Sequence, residues 1–249
     1  MDGKAVVEGL RALCLWGALQ VDLAHVAETE EERQHADDLV SLLTPVIKGY
    51  GTDKGYEVAT NAQQVFGGHG YIEEQGMSQY VRDARITMIY EGANGVQAMD
   101  LVGRKLALNG GRAVQRLFAV IDAECAEDSA DETVKLVAER LAKATGHLKA
   151  ATMWFLQHGM TDRNAVGAGA YAYMTLTGVV SLGLMWLRMA KVSAAALGQE
   201  GADKAFYEAK LLCAKHWALR FAPQAGALRY EVEAGAETVM AMTAEQFAA

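Results

Sequence analysis

The residues able to do chemistry are concentrated between Gln64 and Leu106, which read QVFGGHGYIEEQGMSQYVRDARITMIYEGANGVQAMDLVGRKL. Gly67, Gly68 and Gly70 sit together; a charged turn follows, then Arg82-Asp83-Ala84-Arg85, and Tyr90-Glu91-Gly92 closes the stretch ahead of another helical pattern. A carboxylate beside a glycine at the mouth of a helix is a candidate general base, and the missing Cβ at Gly92 lets a substrate chain come close. Glu91 also reads as a carboxylate offsetting the dipole of the helix after it, and spacing alone favours that plainer role. The glycine cluster is open in the same way. Gly67 and Gly68 let backbone approach a flat or anionic ligand, or they simply end a helix. A dinucleotide fingerprint does not fit, because a helix precedes the cluster and the GxGxxG spacing is absent. Arg82, Asp83 and Arg85 read as a charge network that fixes the turn, with a phosphate contact as the alternative. His69 has no second His or Cys at ligand spacing, so no metal site is expected.

The elements around this stretch are nearly all helix-forming. The chain has 249 residues, 51% of them hydrophobic and 22% charged, which describes a globular protein with a substantial core. Only Pro45 and Pro223 interrupt helix-favouring composition. The net charge of −8 argues against a nucleic-acid partner. Cys14, Cys125 and Cys213 are far apart, as reduced thiols in a cytoplasmic protein would be. The N-terminus lacks the layout of a secretion signal. Asn164 to Leu187 carries no charge and is long enough to span a membrane, but its polar residues and glycines fit a helix buried on all sides better, so no membrane span is expected.

Apolar periodicity predicts helices over 3–27, from near Arg33 to the glycine cluster (with Pro45 able to kink it and Gly49, Gly51 and Gly55 weakening its middle), over 78–84, and from just after Glu91 to about 106. Asn109-Gly110-Gly111 is the linker candidate. Further helices are expected at roughly 112–126, 132–158, 163–198, 202–221 and 236–248. The acidic run Glu28 to Glu32 reads as a solvated turn suited to a helix N-terminus. Trp154, Tyr171, Tyr173, Trp186 and Trp217 fall on apolar faces and read as core. The fold class is therefore all-α, a helical bundle over residues 1–108 followed by a second helical domain over 112–249.

QxxGGxGY, RDAR and IYEG in this order make residues 60–106 resemble the C-terminal helical domain of the flavin-dependent acyl-CoA dehydrogenases. Residues 112–249 resemble the extra helical domain of larger bacterial members acting on short or sulfur-bearing thioesters such as 3-methylmercaptopropionyl-CoA. The resemblance implies α,β-dehydrogenation of an acyl-CoA, with FAD taking the hydride and Glu91 taking the proton. It implies a thioester against Gly92, with the backbone N–H of Glu91 polarising its carbonyl. Ala93, Asn94 and Gly95 would touch the flavin, although Ala93 replaces a usual threonine. Gln64, Val65, Phe66, Gly67 and Gly68 would meet the adenosine end of FAD held by a neighbouring subunit. A homo-oligomer and an electron-transfer flavoprotein as acceptor follow from the same source. So does a working range for the Glu91 carboxyl raised by a dry acyl pocket.

Family members carry an N-terminal helical domain and a middle β domain ahead of the region seen here. The isolated chain is therefore expected to purify colourless and inactive, as the C-terminal portion of a dehydrogenase. The alternatives are one subunit of a split enzyme and a non-catalytic oligomerisation scaffold. Glu91 speaks against the scaffold and Ala93 mildly for it.

Overall fold

In a computed structural model, which describes residues 1–159 and 161–249, the chain is helical throughout, and no strand is found among the described residues. The expected all-α class holds. Helix α1 (Asp2–Val26) and helix α2 (Glu30–Val65) form a long hairpin. Short helices α3 (Gly68–Tyr71), α4 (Met77–Thr87) and α5 (Asn94–Asp100) follow, the last running into a single π turn at Leu101–Lys105. Asn109, Gly110 and Gly111 all take left-handed backbone and break the chain where the linker was expected.

Beyond that break lie α6 (Arg112–Ala126), α7 (Glu132–His158), α8 (Arg163–Leu197), α9 (Lys204–His216) and α10 (Gln224–Glu233), then the short α11 (Glu237–Met240) and α12 (Ala244–Ala248). Asp131, Asp162 and Asp203 start α7, α8 and α9 by accepting backbone N–H groups of the first turn, which saves donors that would otherwise be orphaned.

Three differences from the sequence reading have local causes. Helix α2 starts at Glu30, ahead of Arg33, because Thr29 and Glu32 form a reciprocal capping box inside the acidic run. It then continues without a break through Pro45, Gly49, Gly51 and Gly55. At Gly49 a Cβ would stand 2.3 Å from the Met174 sulfur, so that glycine is a packing requirement. The helix expected over 202–221 ends in a π turn at Trp217–Phe221, and α10 follows where no helix was expected; the 236–248 segment divides into two short helices with no buried residue.

Helix α8 is the centre of the molecule. It packs against α1, α2, α5, α7, α9 and α10, and its uncharged stretch is 89% buried within the protein over its most apolar window. Its length and composition would suffice for a membrane, but that surface is covered by the other helices, as expected of a core helix. Close approach is built from glycines facing rings: a Cβ at Gly178 would lie 2.2 Å from the Tyr50 ring, and one at Gly183 2.2 Å from Trp217. One continuous set of buried side chains runs from Ala5 on α1 to Val232 on α10. Asp38 on α2, 1% exposed, receives Arg112 at 2.6 Å and Arg116 at 3.0 Å from α6.

Candidate functional site

The Glu91–Gly92 turn sits between α4 and α5, and both residues have left-handed backbone, with φ of 53° and 87°. For glycine this is free; for glutamate it is strained and must be held by its surroundings. Helix α2 supplies the hold through Lys48, Gly49, Thr52 and Asp53, neighbours on one helical face. Lys48 Nζ donates to the Gly92 carbonyl at 2.7 Å and to Asn94 Oδ1 at 2.7 Å. Asn94, only 4% exposed, donates from Nδ2 to Asp53 at 2.7 Å, Thr52 Oγ1 at 2.9 Å and the Gly49 carbonyl at 3.1 Å. Thr52 spends its own proton on the Lys48 carbonyl at 2.7 Å, so its oxygen is free to accept from Asn94. Gln97 Nε2 lies 3.3 Å from both the Glu91 and Gly92 carbonyl oxygens.

From α8, Tyr171 donates its hydroxyl to Asp53 at 2.6 Å. The residue is 42% exposed, so Tyr171 is a site neighbour and not the core residue its sequence context suggested. Burial around the hydroxyl, followed by the Asp53 carboxylate, pushes this phenol up to about 12. Tyr173, Trp186 and Trp217 are fully buried as read, and Trp154 is partly so.

The turn therefore fixes its backbone inward and leaves the Glu91 side chain exposed. Among the described residues no dry pocket forms around that carboxylate. Gly92 also has a reason beyond substrate access: its φ of 87° is a backbone conformation that side chains rarely adopt. Ala93 and Gly95 are exposed on the same turn, whereas the Asn94 side chain is committed to α2 and its N–H to the Met88 carbonyl at 3.1 Å. Lys48, Thr52, Asp53, Gln97 and Tyr171 escaped the sequence reading.

The glycine cluster lies at the far end of α2. From Thr52 to Val65 is thirteen residues, about 20 Å along a helix, so the two parts of the motif do not converge on one ring. Gly67 takes φ 60° and ψ −145°, a conformation effectively reserved for glycine, to open α3. Gly70 is buried with Gln63 Nε2 on its carbonyl at 3.0 Å, and a Cβ there would collide with the Gln63 carbonyl. At Gly67 and Gly68 a Cβ would meet nothing, and Gln64, Val65 and Phe66 are exposed beside them. This open edge of bare backbone with adjacent apolar side chains fits a flat cofactor's approach. Arg82, Asp83 and Arg85 lie within α4, where Asp83 accepts from Gln79 at 2.7 Å and Arg85 stands 6.0 Å from the Tyr56 ring. Among the described residues no His/Cys/Asp/Glu cluster could hold a metal.

An apolar surface surrounds both parts of the motif. Val65, Phe66, Tyr71, Ile72, Tyr80, Ile86, Ile89, Tyr90, Val96 and Met99 are all exposed, and α4 buries no residue at all.

Comparison with known proteins matches residues 10–107 to "Acyl-CoA dehydrogenase, C-terminal domain" and residues 117–243 to "Acetyl-CoA dehydrogenase C-terminal like". The chain is 37% identical over 212 residues to 3-methylmercaptopropionyl-CoA dehydrogenase of Ruegeria pomeroyi, covering 85% of this chain and 36% of that protein. It is 33% identical over 248 residues to the broad-specificity linear acyl-CoA dehydrogenase FadE5 of Mycobacterium tuberculosis, covering 94% of this chain and 40% of the relative. Caenorhabditis elegans ACDH-11, solved in complex with C11-CoA, shares the fold with a TM-score of 0.72 at 18% identity, over 95% of this chain and 38% of that one. The chain thus spans well under half the length of the proteins it matches.

Proposed function

The chain belongs to the acyl-CoA dehydrogenase family, and from that premise we propose that it supplies the base-bearing side of a flavin-dependent active site for α,β-dehydrogenation of an acyl-CoA. The observation that carries the proposal is the Glu91–Gly92 turn: a strained glutamate, clamped from behind by Lys48, Asn94 and Gln97, with its carboxylate turned outward. Strained positions held by their surroundings cluster at functional sites.

Glu91 takes the α-proton of the thioester. Gly92 allows the acyl chain to pass, and the N–H of Glu91 polarises the thioester carbonyl. Substrate and neighbouring polypeptide cover the exposed carboxylate and exclude water from it. Ala93, Asn94 and Gly95 border the cofactor from the same turn, Asn94 chiefly by holding the turn in place. Gln64, Val65, Phe66, Gly67 and Gly68 form an edge for the adenosine portion of a flavin bound by another copy. FAD, when bound, accepts the hydride from the β-carbon, and an electron-transfer flavoprotein is the expected onward acceptor.

The test joins this chain to the amino-terminal portion of the 3-methylmercaptopropionyl-CoA dehydrogenase relative and adds FAD and a series of acyl-CoAs. Flavin bleaching with enoyl-CoA formation is expected. A folded, flavin-loaded hybrid that no acyl-CoA reduces would count against the reading.

A further inference from the structure

A small cavity between α7 and the start of α10 does not involve the Glu91 turn. Arg140, Lys143 and His147 line one side and Ala222, Pro223 and Gly226 the other, around about 270 Å³. That is below the ~300–1,000 Å³ of sites for drug-sized ligands, so only a small group fits. Among the described residues no carboxylate lines the cavity, although the chain as a whole carries a net charge of −8. The three basic residues fall at i, i+3 and i+7 on α7, which puts them on one stripe.

Two of their nitrogens, Arg140 Nε and His147 Nδ1, are sealed from solvent with no hydrogen-bond partner among the described residues. Unpaired buried nitrogens are rare because each forfeits its hydration without return. The contrast with other helical histidines is internal: His25 and His158 turn Nδ1 to the carbonyl four residues back, each at 2.8 Å. His147 does not, and its ring edge instead lies 3.7 Å from where a Gly226 Cβ would stand, so a bare backbone borders it. A wall of Arg140, Lys143 and His147 with no acid among the described lining residues, bordered by the bare backbone of Gly226, suits a bound anion.

We propose that this cavity is a binding site for a small tetrahedral oxyanion of the phosphate class, held by Arg140, Lys143 and His147. Burial, then Arg229 and Lys143, hold the His147 imidazole below its ordinary range, only partly offset by Glu233, which Arg229 engages at 2.7 Å. A dianion beside the ring removes that repulsion, so His147 takes its proton at higher pH when the site is filled.

The test uses the whole chain with inorganic phosphate against chloride at matched ionic strength. A saturating rise in Tm with phosphate is expected, as for any ligand that binds only the folded state. Arg140→Met should abolish the rise. Lys143→Gln, at an exposed position, should leave the fold intact and weaken phosphate about tenfold by calorimetry. The His147 ring proton, followed by NMR, should titrate at higher pH in phosphate than in chloride. The proposal falls if phosphate gives no saturable rise beyond chloride, or if both variants respond like the parent. Should Arg140→Met fail to fold, Lys143→Gln decides alone.

Discussion

Glu91 occupies a backbone conformation that penalises every side chain, and it lies ahead of the first turn of α5, which begins at Asn94 with Ala93 as its cap. The two readings its sequence position leaves open make different forecasts for this turn. A carboxylate kept for the helix dipole should cost about 0.3–1 kcal/mol when removed. A carboxylate kept for chemistry on a strained turn should not: Glu91→Gly is expected to hold stability or raise it by up to about 1 kcal/mol, since relief of strain outweighs the backbone entropy of glycine. Urea unfolding of the two chains measures the sign. Asn94→Ala is expected to behave oppositely and lose about 2–3 kcal/mol, because Lys48 and Asp53 would be left without their buried partner. The motif made Glu91 and Gly92 legible in the sequence. Lys48, Asp53 and Tyr171 were not, because Asp53 meets Asn94 across 41 positions and Tyr171 across 118, and no local pattern marks such partners.

At the scale of elements, most helices announce themselves through apolar spacing and turn residues, and α6, α7 and α8 lie within a residue of where periodicity puts them. The failures are those where a local signal was overridden. Thr29 and Glu32 hide a cap inside what looks like a solvated acidic run, and the glycines of α2 look like weak points until Met174 is seen against Gly49. Glycine spacing on α8 works similarly. Gly183→Ala would drive a methyl into the Trp217 ring, and a loss of about 1–3 kcal/mol is expected from this overpacking, readable as a lowered urea midpoint. The Asp38 clasp between α2 and α6 gives a pH dependence. Burial opposes ionisation of Asp38, but Arg112 and Arg116 prevail and hold its carboxyl below the usual range. Its contribution is therefore present above the unfolded value of about 3.9 and is lost as pH falls through the lower folded value. Acid titrations of stability should show this loss below about pH 4 in the parent and not in Asp38→Asn.

Over the whole molecule, the helices bury one continuous core, while the surface around the motif stays apolar and open. Patches of that kind mark interaction sites, and light scattering at micromolar concentration is expected to give an oligomer. A stable monomer would assign the patch wholly to other polypeptide segments, such as those that make up the rest of the relatives' length. The chemistry assigned to the turn requires that such segments, with substrate, close over Glu91. Stopped-flow bleaching of bound flavin by an acyl-CoA, in the hybrid carrying Glu91→Gln beside the parent hybrid, tests this most directly. A positioned base contributes about 10²–10⁴-fold to rate, so bleaching should slow by that factor while substrate binding and Tm stay close to the parent. Bleaching by the Gln variant at nearly the parent rate would contradict the assignment of Glu91 as the base.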